Sequence, residues 1–342
     1  MRAVIPVAGF GSRLRPHTHS LPKVLLHVAG KPIIAHILDE LKLQNINRIT
    51  IIYGYKGDMI RDYIDKTYDF DVEYVEQKEL LGLGHAIWCA KDTFKGEDLL
   101  IILGDTIFDA DLSQSWKSGK SSIGVKEIED PRRFGVVVEK ENGFIDYMIE
   151  KPQEFVSNKA IVGIYYIKNS NLLGKQLQKL IDQNIKTREE YQLTDALQGM
   201  LDSGEEMVTF PVGGWLDCGK KETMLETNQF LLKKYNNRYE ENDPRLDNSK
   251  IIYPCFIGKN VKIVNSTIGP NVSLASGAEL FNCTVENSII AEDSFLTNIK
   301  LKDSLVGERC HIESKYETEI KDLNIGSDSE LKLADNINKF LE

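Results

Sequence analysis

The sequence lacks the features that mark several common classes of protein. It has no surplus of basic residues, with 42 Lys and Arg against 52 Asp and Glu and a formal net charge of −10. A chain that neutralises a nucleic-acid backbone needs the opposite balance, so nucleic acid is not the expected partner. The five cysteines, Cys89, Cys218, Cys255, Cys283 and Cys310, are scattered, odd in number and never spaced as C-x-x-C. That excludes a disulfide frame and a structural zinc site and reads as reduced thiols. His17, His19, His27 and His36 show no metal-ligand spacing. No apolar run is long enough for a membrane span, and the apolar residues 1–8 are too few for a secretory h-region. A cytoplasmic location without membrane contact is the expectation.

What is present has two textures. Over residues 1–235 apolar runs and helical periodicities alternate, the mark of an α/β domain. A buried strand is expected at 3–8, a helix opened by Pro32, a strand at 48–53 and a helix at 57–66. A strand at 72–75 and a helix at 83–90 follow. A fully apolar strand at 99–103 is expected in the centre of the sheet. Strands at 135–139 and 160–167 and helices near 172–181, 193–201 and 221–235 complete it. Residues 238–249, polar and containing Pro244, read as a linker. Beyond it apolar residues stand four apart on a period near six: Ile257 with Val261, Ile268 with Val272, Leu274 with Ala278, Ile290 with Ser294. Such hexads predict a parallel β-helix over residues 250–342 in preference to an irregular sandwich. The spacing slips between Ile263 and Ile268 and between Leu280 and Ile290, and residues 331–341 suit a short terminal helix.

The first strand runs into Gly9-Phe10-Gly11-Ser12-Arg13-Leu14-Arg15-Pro16. Glycines placed there let backbone N–H groups approach a phosphate, and Arg13 adds a fork of donors. The third glycine of a dinucleotide fingerprint is missing, as is the Gly-Lys-Ser/Thr of a Walker loop. Alone, the glycine pair says little. With Thr18 and then Pro22-Lys23 the string resembles the opening of the sugar-1-phosphate nucleotidylyltransferases. The similarity, closest in kind to the glucose-1-phosphate thymidylyltransferases, continues in order along the first domain. It runs through Gln77 and Gly82-Leu83, then Leu103-Gly104-Asp105, Asp130 to Val137, and Glu150-Lys151-Pro152. Val162-Gly163-Ile164-Tyr165, Leu193-Thr194-Asp195 and Trp215-Leu216-Asp217-Cys218-Gly219 complete the set.

The resemblance implies a Rossmann-like nucleotidyltransferase domain with a mixed, mainly parallel sheet over residues 1–237, followed by a left-handed β-helix of hexapeptide repeats. It implies Mg²⁺ held by Asp105 and Asp217 beside the phosphates of a nucleoside triphosphate, two carboxylates being a suitable part of such an oxygen shell. Arg13 is expected to hold the outgoing pyrophosphate and Lys23 the α-phosphate. Ala8, Gly9, Gly11, Ser12, Gln77 and Gly82 are expected around the nucleotide. Gly135, Glu150, Lys151 and Gly163 are expected around the sugar phosphate, with Lys151 on its phosphate and Glu150 on its hydroxyls. The implied reaction joins dTTP to glucose-1-phosphate, giving dTDP-glucose and pyrophosphate. Departures bear on the base. Ala8 stands where the family usually has a glycine, Thr106 where Asn is common, and Leu80 where a proline is common. Val7-Ala8-Gly9 and Gly82-Leu83-Gly84-His85-Ala86 also look like the bacterial UTP–glucose-1-phosphate uridylyltransferases. A non-catalytic regulatory subunit that binds nucleotide sugars is a reading of another class, disfavoured because Arg13, Lys23, Asp105 and Asp217 are all present. His85 reads as a packing residue. Hexad β-helices also build acyltransferases, which need a histidine base, and the repeat region offers only His311. A packing, effector-binding or homo-oligomerising role is expected for it instead.

Overall fold

The computed structural model describes residues 1–236, 243, 245–315 and 319–333. The chain folds as two units, residues 1–10 with 34–215, and residues 11–33 with 216–342.

The first unit is built on a nine-stranded mixed sheet. Its strands are β1 (Arg2–Pro6), β2 (Arg48–Tyr53), β3 (Asp71–Glu76), β4 (Leu99–Ile102) and β5 (Ser121–Glu127). They are followed by β6 (Gly135–Glu139), β7 (Ile145–Glu150), β8 (Lys159–Ile167) and β9 (Met207–Pro211). The order is β7-β6-β8-β4-β1-β2-β3, with β5 beside β8 and β9 beside β5. Strands β4, β1, β2 and β3 run parallel. Strand β8 is antiparallel to β4, β5 and β6. Leu99, Leu100, Ile101 and Ile102 are all 0% exposed, so β4 is covered on both faces as its unbroken apolar run predicts. Helices α1 (Ile33–Leu43), α2 (Gly57–Thr67), α3 (Leu83–Cys89), α4 (Ser170–Asp182) and α5 (Leu193–Asp202) fall where the periodicity placed them. Chain order leaves β1 for β2 on one side and returns to β4 on the other. The carboxyl ends of β1 and β4 therefore form a topological switch point, where open α/β sheets leave a crevice for ligands.

The second unit contains α6 (Lys221–Tyr235) and three stacks of short parallel strands of six, five and five members. These stacks fit a left-handed parallel β-helix. Ile263, Leu280, Leu296 and Ile312 stand above one another inside it, each 0% exposed. The slips in the hexad period have a simple cause. Val285 points inward between Leu280 and Ile290, so two five-residue sides replace one irregular gap. Corners at Asn248, Asn265, Asn282 and Asn298 take φ between 46° and 57°, a left-handed conformation that asparagine tolerates better than other side chains. Asn248 Nδ2 donates to Asn265 Oδ1 at 2.7 Å and Asn282 Nδ2 to Asn298 Oδ1 at 3.0 Å. Inside, Ser249 Oγ accepts from the Ser266 backbone N–H at 3.0 Å, and Ser266 Oγ from that of Cys283 at 2.9 Å.

Two expectations are corrected here. Leu246–Asp247, in the stretch read as linker, pairs with Lys262–Val264 as a first-coil strand. Its polar neighbours hid an apolar Leu246 that packs on the β-helix interior. Leu331–Leu333, read as the start of a helix, extends the strand Glu330–Leu333 beside His311–Ser314; residues 334–341 of that expected helix lie outside the described residues. Among the described residues no helix is long and apolar enough to cross a membrane. Leu280→Ala should cost about 2–5 kcal/mol, since the coils above and below hold the vacated space open. Urea unfolding followed by near-UV circular dichroism measures it.

Candidate active site

In the second unit the glycine loop is shaped by crowding. Gly11 has φ +62°, and a β-carbon on it would lie 2.9 Å from Lys23 Cβ and 3.0 Å from Thr18 Cγ2. The Thr18 hydroxyl donates to the Gly11 carbonyl oxygen at 3.1 Å. Only glycine satisfies both the handedness and the space. Ser12–Leu14 then forms one 3₁₀ turn anchored by buried Leu14, which presents Arg13. Lys23 opens a second such turn after Pro22, held by buried Val24 and Leu25. Its side chain is 11% exposed, and Nζ lies 3.8 Å from Asp217 Oδ1.

Asp217 ends the strand Gly214–Asp217, and its side chain is 48% exposed. Buried Cys218 follows, its thiol donating to Thr227 Oγ1 at 3.6 Å. Next comes Gly219. A β-carbon there would lie 2.7 and 2.9 Å from the two Asp217 carboxylate oxygens and 3.0 Å from an Arg13 terminal nitrogen. Arg13, Lys23 and Asp217 therefore converge over a backbone that leaves no room for a side chain. Two cationic donors and one half-exposed carboxylate make a group whose donors suit phosphate oxygens and whose carboxylate suits a divalent cation shared with them.

In the first unit, the ends of β1 and β4 lie backbone to backbone. The Gly104 N–H donates to the Pro6 carbonyl oxygen at 3.3 Å, and a β-carbon on Gly104 would strike Val7 Cγ1 at 2.3 Å. Asp105 sits in the turn that follows, closed by the Thr106 N–H on the Leu103 carbonyl oxygen at 3.1 Å. Ala8 is buried, and Gly54 is where β2 leaves room for it, since a β-carbon there would meet the Ala8 carbonyl oxygen at 2.8 Å. Gly54 carried no signal in the sequence beyond being a glycine after a strand.

Gln77 and Gly82, both expected around the nucleotide, come together. The Gln77 amide nitrogen donates to the Gly82 carbonyl oxygen at 3.2 Å and to His85 Nδ1 at 3.1 Å. Burial is the main cause that lowers the His85 pKa below its ordinary value. The ring stacks against Trp88 and Tyr191 at 5.6 and 6.3 Å between centroids, which makes it a packed residue. Gly82, with φ +107°, packs its α-carbon against the Tyr191 backbone.

Gly135 and Glu150 pair across β6 and β7, and a β-carbon on Gly135 would lie 3.0 Å from Glu150 Oε2. The Thr194 hydroxyl donates to that same oxygen at 2.8 Å. Lys151 Nζ lies 3.3 Å from Glu150 Oε1. Lys151 itself has φ +45°, and its carbonyl oxygen accepts from Arg188 at 2.9 Å. Burial, with the Glu150 charge adding to it, raises the Asp195 pKa above the usual carboxylate range. Gly163 lies apart from this group in its reason for being glycine: it has φ +84° at a bulge of β8, and a β-carbon would meet Leu103 Cδ1 at 2.6 Å. Thr194 and Gly219 stood inside the quoted motifs, yet sequence reasoning gave them no role.

A model of the nucleotidyl transferase family matches residues 2–234. The chain belongs to that family. Members make nucleotide-linked products from a nucleoside triphosphate, and this nucleotidyltransferase groups with those that act on sugar-1-phosphates. It is 33% identical to the low-salt glycan biosynthesis nucleotidyltransferase of Haloferax volcanii over 97% of this chain and 100% of that one. It is 28% identical to a glucose-1-phosphate thymidylyltransferase of Streptomyces antibioticus, over 91% and 93% of the two chains. Among solved structures, a UDP-glucose pyrophosphorylase complexed with UDP-glucose superposes with a TM-score of 0.59 at 25% identity, over 68% of this chain and 98% of that one.

Gly219→Ala should leave the thermal unfolding curve of this nucleotidyltransferase within a degree or two, yet lower turnover about a hundredfold, the scale of an ångström misplacement at a reacting centre. A variant with the native rate would remove the Arg13–Asp217 cluster from the chemistry.

Proposed function

We propose that the protein transfers a nucleotidyl group from a nucleoside triphosphate to a sugar-1-phosphate with Mg²⁺, dTTP and glucose-1-phosphate being the first choice of substrates. The observation that carries the reading is the convergence of Arg13, Lys23 and Asp217 over Gly219. Thymidine is favoured because the thymidylyltransferase relative aligns over nearly the whole length of both chains. Uridine is the second choice, on the UDP-glucose pyrophosphorylase likeness and the Val7-Ala8-Gly9 opening.

In this reading a sugar-phosphate oxygen attacks the α-phosphorus in line, and the bridging oxygen leaves with pyrophosphate; no proton or electron has to move. Arg13 stabilises charge on the departing pyrophosphate, and Lys23 draws charge from the α-phosphoryl oxygens. Asp105 and Asp217 would hold Mg²⁺, which when bound neutralises triphosphate charge. The Gly219 cradle and the half-exposed Asp217 carboxylate suit that role. Among the described residues no three His, Cys, Asp or Glu side chains cluster as a metal site, so phosphate and water oxygens would supply the remaining ligands. Ala8, Gly9, Gly11, Ser12, Gln77 and Gly82 take the nucleotide. Gly135, Glu150, Lys151 and Gly163 take the sugar phosphate. Thr194 holds Glu150 so that its other oxygen meets Lys151 or a sugar hydroxyl.

Pyrophosphate release, run over the common nucleoside triphosphates with glucose-1-phosphate and Mg²⁺, should be fastest with dTTP. Release with UTP alone assigns the uridylyl reaction, and no release with any pair returns the chain to a regulatory role. Asp105→Asn and Asp217→Asn should each lower turnover at least about a hundredfold without unfolding the protein. A near-native rate for either at saturating Mg²⁺ would falsify the shared metal. Lys151→Ala should raise the KM for sugar phosphate about tenfold and leave that for nucleotide within about twofold, a charge-assisted hydrogen bond being worth that much.

A further inference from the structure

Residues 11–33 belong to the same unit as the β-helix, and they touch its last described turns. The contact is specific. Pro16 lies on Gly326, where a β-carbon would come within 3.0 Å of Pro16 Cβ and 3.2 Å of Cγ. Buried His17 places Nε2 2.8 Å from Asn324 Oδ1. The Asn324 amide nitrogen donates to the Arg15 carbonyl oxygen at 3.4 Å, so Oδ1 is the acceptor and His17 Nε2 carries the proton. Ser20 donates to Ser327 Oγ at 3.0 Å, and that oxygen also accepts the Glu308 backbone N–H at 3.2 Å. Lys221, at the start of α6, pairs with Asp322 of the same turn.

Between these fastenings lies Thr18, which bonds the Gly11 carbonyl oxygen and crowds the Gly11 α-carbon together with Lys23. The grip on residues 15–20 therefore passes to the backbone that presents Arg13 and to the Lys23 stem. The segment has only single 3₁₀ turns and one two-residue hairpin of its own. Its order has to come from what it leans on, because ordering a loop costs conformational entropy each time it must be done.

We infer that Asn324 is a positioning residue for nucleotide binding: through His17, the β-helix holds the Gly11–Lys23 segment in the form that receives the triphosphate. The inference rests on the assignment of Arg13 and Lys23 to the triphosphate made above. It gives the β-helix a part in the reaction without giving it a site.

The consequence is a particular kinetic pattern. If Asn324 raises the population of the binding-ready segment, its loss weakens apparent nucleotide affinity by that population, and saturating nucleotide restores the rate. Asn324→Ala should raise the KM for nucleotide about fivefold, the worth of one ordinary hydrogen bond. Both kcat and the KM for sugar phosphate should stay within about twofold. Asn324→Asp keeps the acceptor for His17 but loses the donor to the Arg15 carbonyl oxygen, so its nucleotide KM should fall between those of the parent and Asn324→Ala. A purely structural role would show instead as lost folded enzyme, with kcat lowered and every KM unchanged; that result, or no change at all, overturns the inference. Should Asn324→Ala not fold, Ser20→Ala removes the neighbouring fastening from the loop side and carries the same expectation, and an unaltered nucleotide KM again overturns it. Arg13→Ala, measured alongside, separates the two levels. An inactive Arg13→Ala enzyme beside an unaltered Asn324→Ala enzyme sinks the positioning role alone. A fully active Arg13→Ala enzyme sinks the triphosphate assignment, and the positioning role with it.

Discussion

Like-charged reactants have to be brought together, and in the reading proposed above the means is a small space that only bare backbone leaves open. Gly219 lies under the Asp217 carboxylate and the Arg13 guanidinium, and Gly11 lies under the stem of Lys23. Any side chain at either position would push the charged groups apart. The Asp217 carboxylate stays half open to solvent beside the two cations. In that reading the two cations face the triphosphate, while Asp217, with Asp105, faces its divalent cation.

The first unit solves a related problem by close backbone contact. Gly104 allows β4 to end against β1, and Gly54 allows β2 to pass Ala8. Both lie near the carboxyl edge of the parallel strands, where Asp105 and the Ala8-Gly9 turn emerge. A different logic governs Gly163, whose freedom is taken up by a bulge over Leu103. A glycine near a site is thus not always there for the ligand, and only the atoms that a β-carbon would meet distinguish the cases.

Much of the fold was legible because its signals are local. Helices from 33, 57, 83, 170, 193 and 221 follow their apolar periodicity to within a few residues, and β4 is the unbroken apolar run it resembles. Strand β5 was not readable, since Ser121 and Ser122 look polar. Both are buried in the sheet, their hydroxyls bonded to Glu205 and to the Ser115 carbonyl oxygen. The first β-helix coil was masked by its polar flank, and the apparent faults in the hexads were five-residue sides turned by left-handed asparagines. For the candidate site, ordered motifs singled out the charged residues, but not the neutral ones that hold them. Thr194 reaches Glu150 from 44 residues away and Asn324 reaches His17 from 307. No periodicity connects such pairs; they meet only once sheet and coils have formed.

The asparagine corners carry a chemical risk that their surroundings offset. An asparagine ages by attack of the next backbone nitrogen on its own side-chain carbonyl, which closes a ring and releases ammonia. After Asn265 and Asn282 that nitrogen belongs to Ser266 and Cys283, and in each case its N–H is held by a serine hydroxyl of the preceding coil. The nucleophile is turned inward, away from the amide it would attack. Holding that nitrogen slows ring closure at Asn265 and Asn282 relative to the same residues in an open loop.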